Sequence, residues 1–411
     1  MKKIRVIVST FGPLHLLKSA EILNKYVQVT VIQGWIPSWW NKWVLSIASN
    51  LVGRDLFKSF KRRTPDCLKG NNKSIGFAEF YLWACKLFKL QTPLKSSYNA
   101  ACIYGWSSKR HIKNADVLHV RSGSGFCGAI EKARKKGIKV VVDHSIAHPM
   151  FMDKQLREEY TRNNVVFDLG MDNPFWTGIV SDCKKGDVVL VNSQFVKDTF
   201  VANGFAPEKI KVILLGVRED FFFLKKDYSI KDNTIKILFT GSFGFRKGAE
   251  YILKALAELH QEGFKYEFTC VGNSMSSTEL IAKYNIKHIN RVNTIPQEEL
   301  KTYLATSDIY LFPSLCEGCA SSGMEAMAAG MPVIATIESG LPIEDGVNGI
   351  IGRSKNVHDI KNAIKLLASD TRKRETLGLA AANKIATHYT WDNYAQNVFS
   401  LYNQLLNNPT K

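Results

Sequence analysis

Along this chain, short runs of β-branched and aliphatic residues alternate with stretches of helical period almost from end to end. "IRVIVST", "VQVTVIQ", "DVLHVR", "IKVVVDHS", "DVVLVNS" and "IKVILLG" are apolar runs, most of them leading into residues with helical spacing. A polar bridge, "KKDYSIKDNT" at 225–234, interrupts the pattern. It then restarts with "IKILFTGS", "YEFTCVG", "HINRV", "IYLFPS" and "MPVIAT". Strands apolar on both faces, each followed by a helix, belong to parallel sheets covered on both sides. The pattern predicts an α/β protein with two doubly wound, Rossmann-like domains whose parallel sheets face a cleft. Ligands of such sheets bind at the carboxyl ends of the strands. The expected boundaries are 1–218 for the first domain, 219–234 for a linker and 235–388 for the second domain. A final amphipathic stretch within 389–411 is free to return to the first domain.

Composition narrows the class. Hydrophobic content of 45% and charged content of 22% exclude a disordered chain. No run approaches the eighteen or so apolar residues of a spanning helix. The opening "MKKIRVIVSTFG" reads as a first strand rather than a signal peptide, so the expected location is cytoplasmic. Eight cysteines then read as reduced thiols, and the C-x-x-C of Cys316 and Cys319 has no second pair or His pair beside it. The net charge of +18 is lopsided: residues 1–110 hold 18 Lys/Arg against 4 Asp/Glu. Within them, 34–63 carries four tryptophans and ends on Lys61, Arg62 and Arg63. Large aromatics beside cations fit an anionic membrane surface better than nucleic acid, because Trp settles at headgroup depth. The alternative is an aromatic core with a solvated basic face. The expectation is peripheral association with the inner face of the cell membrane, without nucleic acid as a partner.

Candidate chemistry gathers in "PSLCEGCASSGMEAMAAGMPVIA" (313–335), which sets Glu317 and Glu325 eight positions apart around small residues. Gly330 stops a helix that holds Glu325 in its first turns, and Glu317 lies on the loop before it. Free amides of that helix start make 318–323 an anion site. A solvated loop acid beside a dipole-favoured helix acid is the plain alternative. "ILFTGSFGFRKGAEYILKAL" (237–256) is a strand, a Gly-rich turn with Arg246 and Lys247, then a helix, an arrangement suited to phosphate. It has neither P-loop nor dinucleotide-fingerprint spacing. In the first half, "VVVDHSIAHPMF" sets Asp143, His144 and His148 at a strand end, and "HVRSGSGFCGAI" places Ser122, Gly123 and Ser124 at another. The latter are candidates for the acceptor side or a phosphate, with His148 as a further acceptor-side candidate.

Together, 237–256 and 310–352 resemble the retaining nucleotide-sugar glycosyltransferases of family 4, which have the GT-B fold. "GLPIEDGVNGIIG" and "VLVNSQFVKDTFVANGFAPEKIKVILLGV" (189–217) extend the likeness, which covers the rest of the first half only in outline. The resemblance implies that Glu325 accepts from donor ribose hydroxyls and Glu317 from a sugar hydroxyl. It implies that Gly241, Ser242, Gly318, Cys319, Ala320, Ser321 and Ser322 surround the sugar and diphosphate. Lys247 with Arg246 would neutralise the departing diphosphate, and His144 would lie against the sugar. Ser242 stands where the family commonly has Arg, Ala320 where it has Gly, and Gly12 alone remains of the Gly-rich loop near the N-terminus.

The implied activity is transfer of a hexose-type sugar, with retention, from a nucleoside-diphosphate sugar to an acceptor hydroxyl. The expected acceptor is a lipid-linked oligosaccharide or a polysaccharide in surface polysaccharide biosynthesis, such as lipopolysaccharide or capsule. No metal and no cofactor beyond the nucleotide-sugar co-substrate is expected. A GT-B nucleotide-sugar epimerase and a non-catalytic sugar or nucleotide binder on the same scaffold are the alternatives.

Overall fold

The computed structural model describes residues 3–12, 15–36, 46, 66–68, 70–167, 170–273, 278–286 and 288–407. Lys61, Arg62, Arg63 and most of the tryptophan-rich stretch lie outside the described residues. The first sheet comprises β1 (Arg5–Thr10), β2 (Gln28–Gln33), β3 (Asn72–Ser74), β4 (Val117–Arg121), β5 (Lys139–His144), β6 (Val188–Val191) and β7 (Ile210–Val212). Its order is β3-β2-β1-β4-β5-β6-β7, all parallel. The second comprises β8 (Ile235–Thr240), β9 (Tyr266–Val271), β10 (Ile289–Val292), β11 (Ile309–Phe312), β12 (Val333–Ala335) and β13 (Ile350–Ile351). Its order is β10-β9-β8-β11-β12-β13, again parallel. Two doubly wound α/β domains result, as the hydrophobic pattern predicts. β4, β6, β11 and β12 carry long apolar side chains on both faces because helices cover both.

The strand order places the site. Each sheet reverses direction beside its first strand, between β1 and β4 and between β8 and β11. At such a point the connections leave in opposite directions and open a crevice at the carboxyl ends. The loops after β8 and β11 are those that carry Arg246, Lys247 and Glu317.

Two parts of the chain tie the domains together. The helix Trp391–Asn407 follows the second domain yet packs on the first, with Tyr394, Val398, Leu401, Tyr402 and Leu405 buried. They cover the alternate face of β1, β2 and β4, so the final helix supplies what the first domain's own helices leave bare. Tyr402 Oη lies 2.6 Å from His119 Nδ1, and Ser19 Oγ donates to Tyr394 Oη at 3.2 Å. The chain thus crosses between domains twice, and the crossings touch. Val217 bridges Thr390 in parallel, and a Cβ on Gly216 would overlap the backbone of Trp391.

The stretch 219–234, expected as a linker, packs on the second domain. Phe221, Lys225 and Tyr228 are buried, and Phe223 and Lys225 donate backbone hydrogen bonds to Ala328 and Ala329 at 2.8 Å each. Its apolar side chains had a face of the second domain to cover. The second tie is the helix Pro149–Arg162. Arg162 pairs with Glu250 at 2.7 Å, Tyr251 Oη donates to Glu159 at 2.8 Å, and Lys355 reaches Glu159 at 3.0 Å.

Replacing Tyr402 with Phe removes the hydroxyl and leaves His119 Nδ1 buried without its partner. We expect a loss of about 1–3 kcal/mol in urea unfolding with an unchanged denaturant slope.

Candidate active site

Three glycines let the chain pack closely here. Gly241 ends β8 with φ +121, and a Cβ there would lie 2.8 Å from Lys247 Nζ. Gly248, at φ +75, closes the short turn Phe245–Lys247, and a Cβ on it would overlap the carbonyl of Pro313. The turn therefore lies directly on the loop after β11. Leu315 N donates to the Arg246 carbonyl at 2.8 Å, and Arg246 NH1 donates to the Cys316 carbonyl at 2.8 Å. Ser242, at the family's arginine position, is exposed at the tip.

Glu317 faces both cations. Its Oε1 lies 2.5 Å from Arg246 NH1 and 3.5 Å from Lys247 Nζ. The oxygen is buried and has no aligned hydrogen bond, so it is charge-paired without being satisfied. Burial lowers the Lys247 ammonium from its ordinary range, and the Glu317 charge opposes this. Phe312 backs the ammonium at 4.9 Å.

The next residues use some of their own donors. Glu317 N donates to Glu338 O at 2.9 Å and Ala320 N to Ser339 O at 3.1 Å. The Ala320 amide is thereby withdrawn from the anion site expected around it. Helix geometry leaves the amides of Ser321, Ser322 and Gly323 without intrahelical acceptors. Ala320 sits at φ −68, ψ 102, ordinary for an L-residue, so alanine in place of the family's glycine introduces no strain. Ser322 Oγ accepts from Tyr310 Oη at 3.0 Å. Burial pushes the Cys316 and Cys319 thiols up to about 12, which makes them packing groups rather than nucleophiles.

Gly318 is where the domains meet. Ser193 Oγ donates to its carbonyl at 2.5 Å, and a Cβ on it would overlap the carbonyl of Ser145. Asn192 Oδ1 would lie 2.8 Å from that Cβ and is itself buried without a partner. His144, next to Ser145, has Nδ1 2.9 Å from Ser122 Oγ, while its buried Nε2 has no partner. Burial, with the charge of Arg121, lowers His144 to about 3, so it is neutral. Glu317, Asn192 and His144, each with an unsatisfied buried polar atom, lie on or next to the loops that meet there. Glu325, just over one turn into the helix Ser321–Ala329, is largely enclosed. Burial and the nearby Asp220 raise its carboxyl to about 7 against the pull of Arg218.

Two of the acceptor-side candidates have partners within the protein. The Gly123 and Gly125 amides both donate to Asp182 Oδ2, at 2.9 and 3.1 Å, so an internal carboxylate fills the place assigned to an acceptor or phosphate. Ser124 Oγ accepts from Phe11 N at 3.0 Å. His148 caps the helix Pro149–Arg162, its Nδ1 accepting from Met150 N at 3.2 Å, with its ring against Phe200 and Phe205. Its other nitrogen, Nε2, is buried without a partner. Gly12 lies in the loop after β1, its carbonyl accepting from Thr10 Oγ1 at 2.8 Å. Beside that loop lies Asp143, singled out at its strand end, with partners the sequence reading did not supply. Asp143 accepts from Arg121 at 2.9 Å and lies 3.0 Å from His15 Nε2; despite burial, these neighbours and His119 hold it well below the usual carboxylate range. Among the described residues, no cluster of three or more His, Cys, Asp or Glu is placed to hold a metal.

Gly318→Ala should keep domain stability but prevent the two loops from meeting. Small-angle scattering should show a larger radius and activity should fall at least about a hundredfold. For Glu325, a carboxyl raised in the folded state stabilises the protein below its unfolded value. That contribution is lost as pH rises through about 7. Urea unfolding should therefore show Glu325→Gln gaining roughly 2–3 kcal/mol on the parent between pH 5 and 8.

With this geometry in place, comparison with known proteins is informative. Residues 72–221 match the model of Glycosyltransferase Family 4, and 220–384 match that of Glycosyl transferases group 1. An uncharacterised 41.2 kDa protein in the cps region of Klebsiella pneumoniae is 28% identical over 68% of this chain and 78% of its own. The amylovoran biosynthesis glycosyltransferase AmsK of Erwinia amylovora is 29% identical over 50% of this chain and 53% of its own. Among solved structures, sucrose-phosphate synthase of Thermosynechococcus elongatus superposes with a TM-score of 0.70 at 17% identity, over 98% of this chain and all of that one. Anabaena HepE, solved with UDP-glucose, gives 0.62 at 14% over 98% of this chain and all of that one. Two glycosyltransferase models in tandem, on two facing Rossmann-like domains, make this chain a glycosyltransferase of the GT-B fold.

Proposed function

We propose that the chain transfers a sugar from a nucleoside-diphosphate sugar to an acceptor hydroxyl with retained configuration, on a lipid-linked oligosaccharide of a surface polysaccharide. The observation that carries this reading is Glu317 held by Arg246 and Lys247 at the switch point of the second sheet. A carboxylate of the protein, Glu317, sits where an anion is wanted. A donor diphosphate takes over the two cations and frees Glu317 to accept a hydrogen bond from the sugar. Ionised Glu325 accepts from the ribose hydroxyls, and the Ser321–Gly323 amides face the phosphates. His144 Nε2, neutral and unpartnered, meets a sugar hydroxyl from the opposite domain.

The chemistry follows from where charge grows. As the bond from the anomeric carbon to the phosphate oxygen breaks, negative charge collects on the diphosphate, and Arg246 and Lys247 stabilise it more in the transition state than in the ground state. The acceptor oxygen forms its bond on the same face, and its proton passes to the departing phosphate oxygen. No covalent sugar–protein intermediate is needed. The place of the Klebsiella relative in a cps region, the name of AmsK and the UDP-glucose bound by HepE all support the reading.

Thermal unfolding against UDP, GDP, ADP and their sugars tests the donor site. One base should stand out, with about 2.7 kcal/mol added at a hundred times its dissociation constant. Lys247→Ala should lower kcat by about 10²–10³ with a smaller change in KM. Product of inverted configuration, or a trapped glycosyl–protein adduct, would overturn the mechanism. Donor consumed without any acceptor would favour the epimerase reading, and silence towards every nucleotide the binder.

A further inference from the structure

The helix Phe77–Leu87 carries two apolar stripes where a surface helix needs one. Ala78 and Cys85 are buried on the inner side, with Tyr81 and Leu82 packed on the core. On the outer side Phe77, Phe80, Trp83 and Leu87 recur at spacings of three and four, and Phe88 and Leu90 continue the face. Trp106 of the adjacent helix Pro93–Ser108 joins the same exposed set, and all seven are between 51% and 80% exposed. A groove of about 620 Å³, lined by Ile75, Phe77, Ile103 and Trp106 with Arg110 at its edge, lies beside them. Exposed apolar residues elsewhere, such as Val347 and Leu379, are scattered. A contiguous patch of this kind has a partner.

Charge says which partner. From 77 to 113 the sequence has six cations, Lys86, Lys89, Lys95, Lys109, Arg110 and Lys113, against one acid, Glu79. That acid lies inward, where a Cβ on Gly34 would overlap its carboxylate. The cations are otherwise exposed, apart from half-buried Lys109 near the Trp106 ring at 5.9 Å. A second copy of the chain would bring like charges together across a two-fold interface. Aromatics that reach headgroup depth, ringed by lysines without acids, match an anionic bilayer. The helix begins just past the carboxyl end of edge strand β3, the end of the sheet on which the cleft opens.

We propose that the outer face of Phe77–Leu90, with Trp106, docks this protein on an anionic lipid bilayer and holds the cleft at the height of a lipid-borne acceptor. This deepens the proposed function and rests on it for its purpose. The docking itself is measured without donor or acceptor, so the two readings fail separately.

The test is co-sedimentation with phosphatidylcholine vesicles, with and without phosphatidylglycerol. The parent should bind only the anionic vesicles and be released by salt. Phe80→Ser with Trp83→Ser should reduce binding at least about tenfold. Lys86→Glu with Lys89→Glu should do the same, since each lysine near an anionic surface is worth on the order of fivefold in partition. Neither pair lies in the core, so melting temperature and response to nucleotides should stay at the parent's. Parental binding by the Phe80/Trp83 variant, or no binding by the parent, overturns the proposal. So does a parent that runs as a dimer which that variant dissociates, since the face then belongs to a second copy.

Discussion

Two backbones approach each other at Gly318 with no room for a side chain between them, and the rest of the site depends on that approach. The loop after β11 can touch Ser145 and Ser193 of the other domain only because residue 318 is glycine. That contact sets Glu317 from one domain and His144 from the other on either side of a single point. The ion pairs of the helix Pro149–Arg162 with the second domain support the same approach from a second position. The meeting of these loops is therefore a property of the assembled pair of domains and of neither alone.

A second theme is the use of the protein's own carboxylates as anions. Asp182 fills the amide nest at Gly123 and Gly125, Glu317 occupies the cations of the turn after β8, and Asp143 sits among Arg121, His15 and His119. The first is held by aligned hydrogen bonds, because the Gly123 and Gly125 amides both donate to Asp182 Oδ2 inside a buried turn. The second has charge partners but no aligned hydrogen bond. The difference between the two anions thus lies in how well each is satisfied.

Much of this was legible in the sequence, and the failures have physical causes. Long apolar strands announced both sheets. β3 did not, since "NKS" is a polar edge strand with little to bury. The turn with Arg246 and Lys247 and the loop with Glu317 were readable because local spacing carries them. Asp182 was not, because it reaches Gly123 from 59 positions away. His148 looked like a cleft residue from its place after a strand. Its aromatic neighbours Phe200 and Phe205 come from distant sequence and make it a cap. The aromatic, basic character of the first quarter pointed at a membrane from composition alone. Only the structure separates the outward stripe of Phe77–Leu87 from the inward one.

The paired crossings at Val217 and Thr390 have a mechanical consequence. Two strands of chain lying side by side form one axle, and Gly216 against Trp391 leaves little slack for the domains to slide. Separation then amounts to rotation about that line, with the greatest travel at the points farthest from it. Because the C-terminal helix is fastened to the first domain beyond the axle, it travels with that domain as a lever. The loops that meet at Gly318 would part by this single swing.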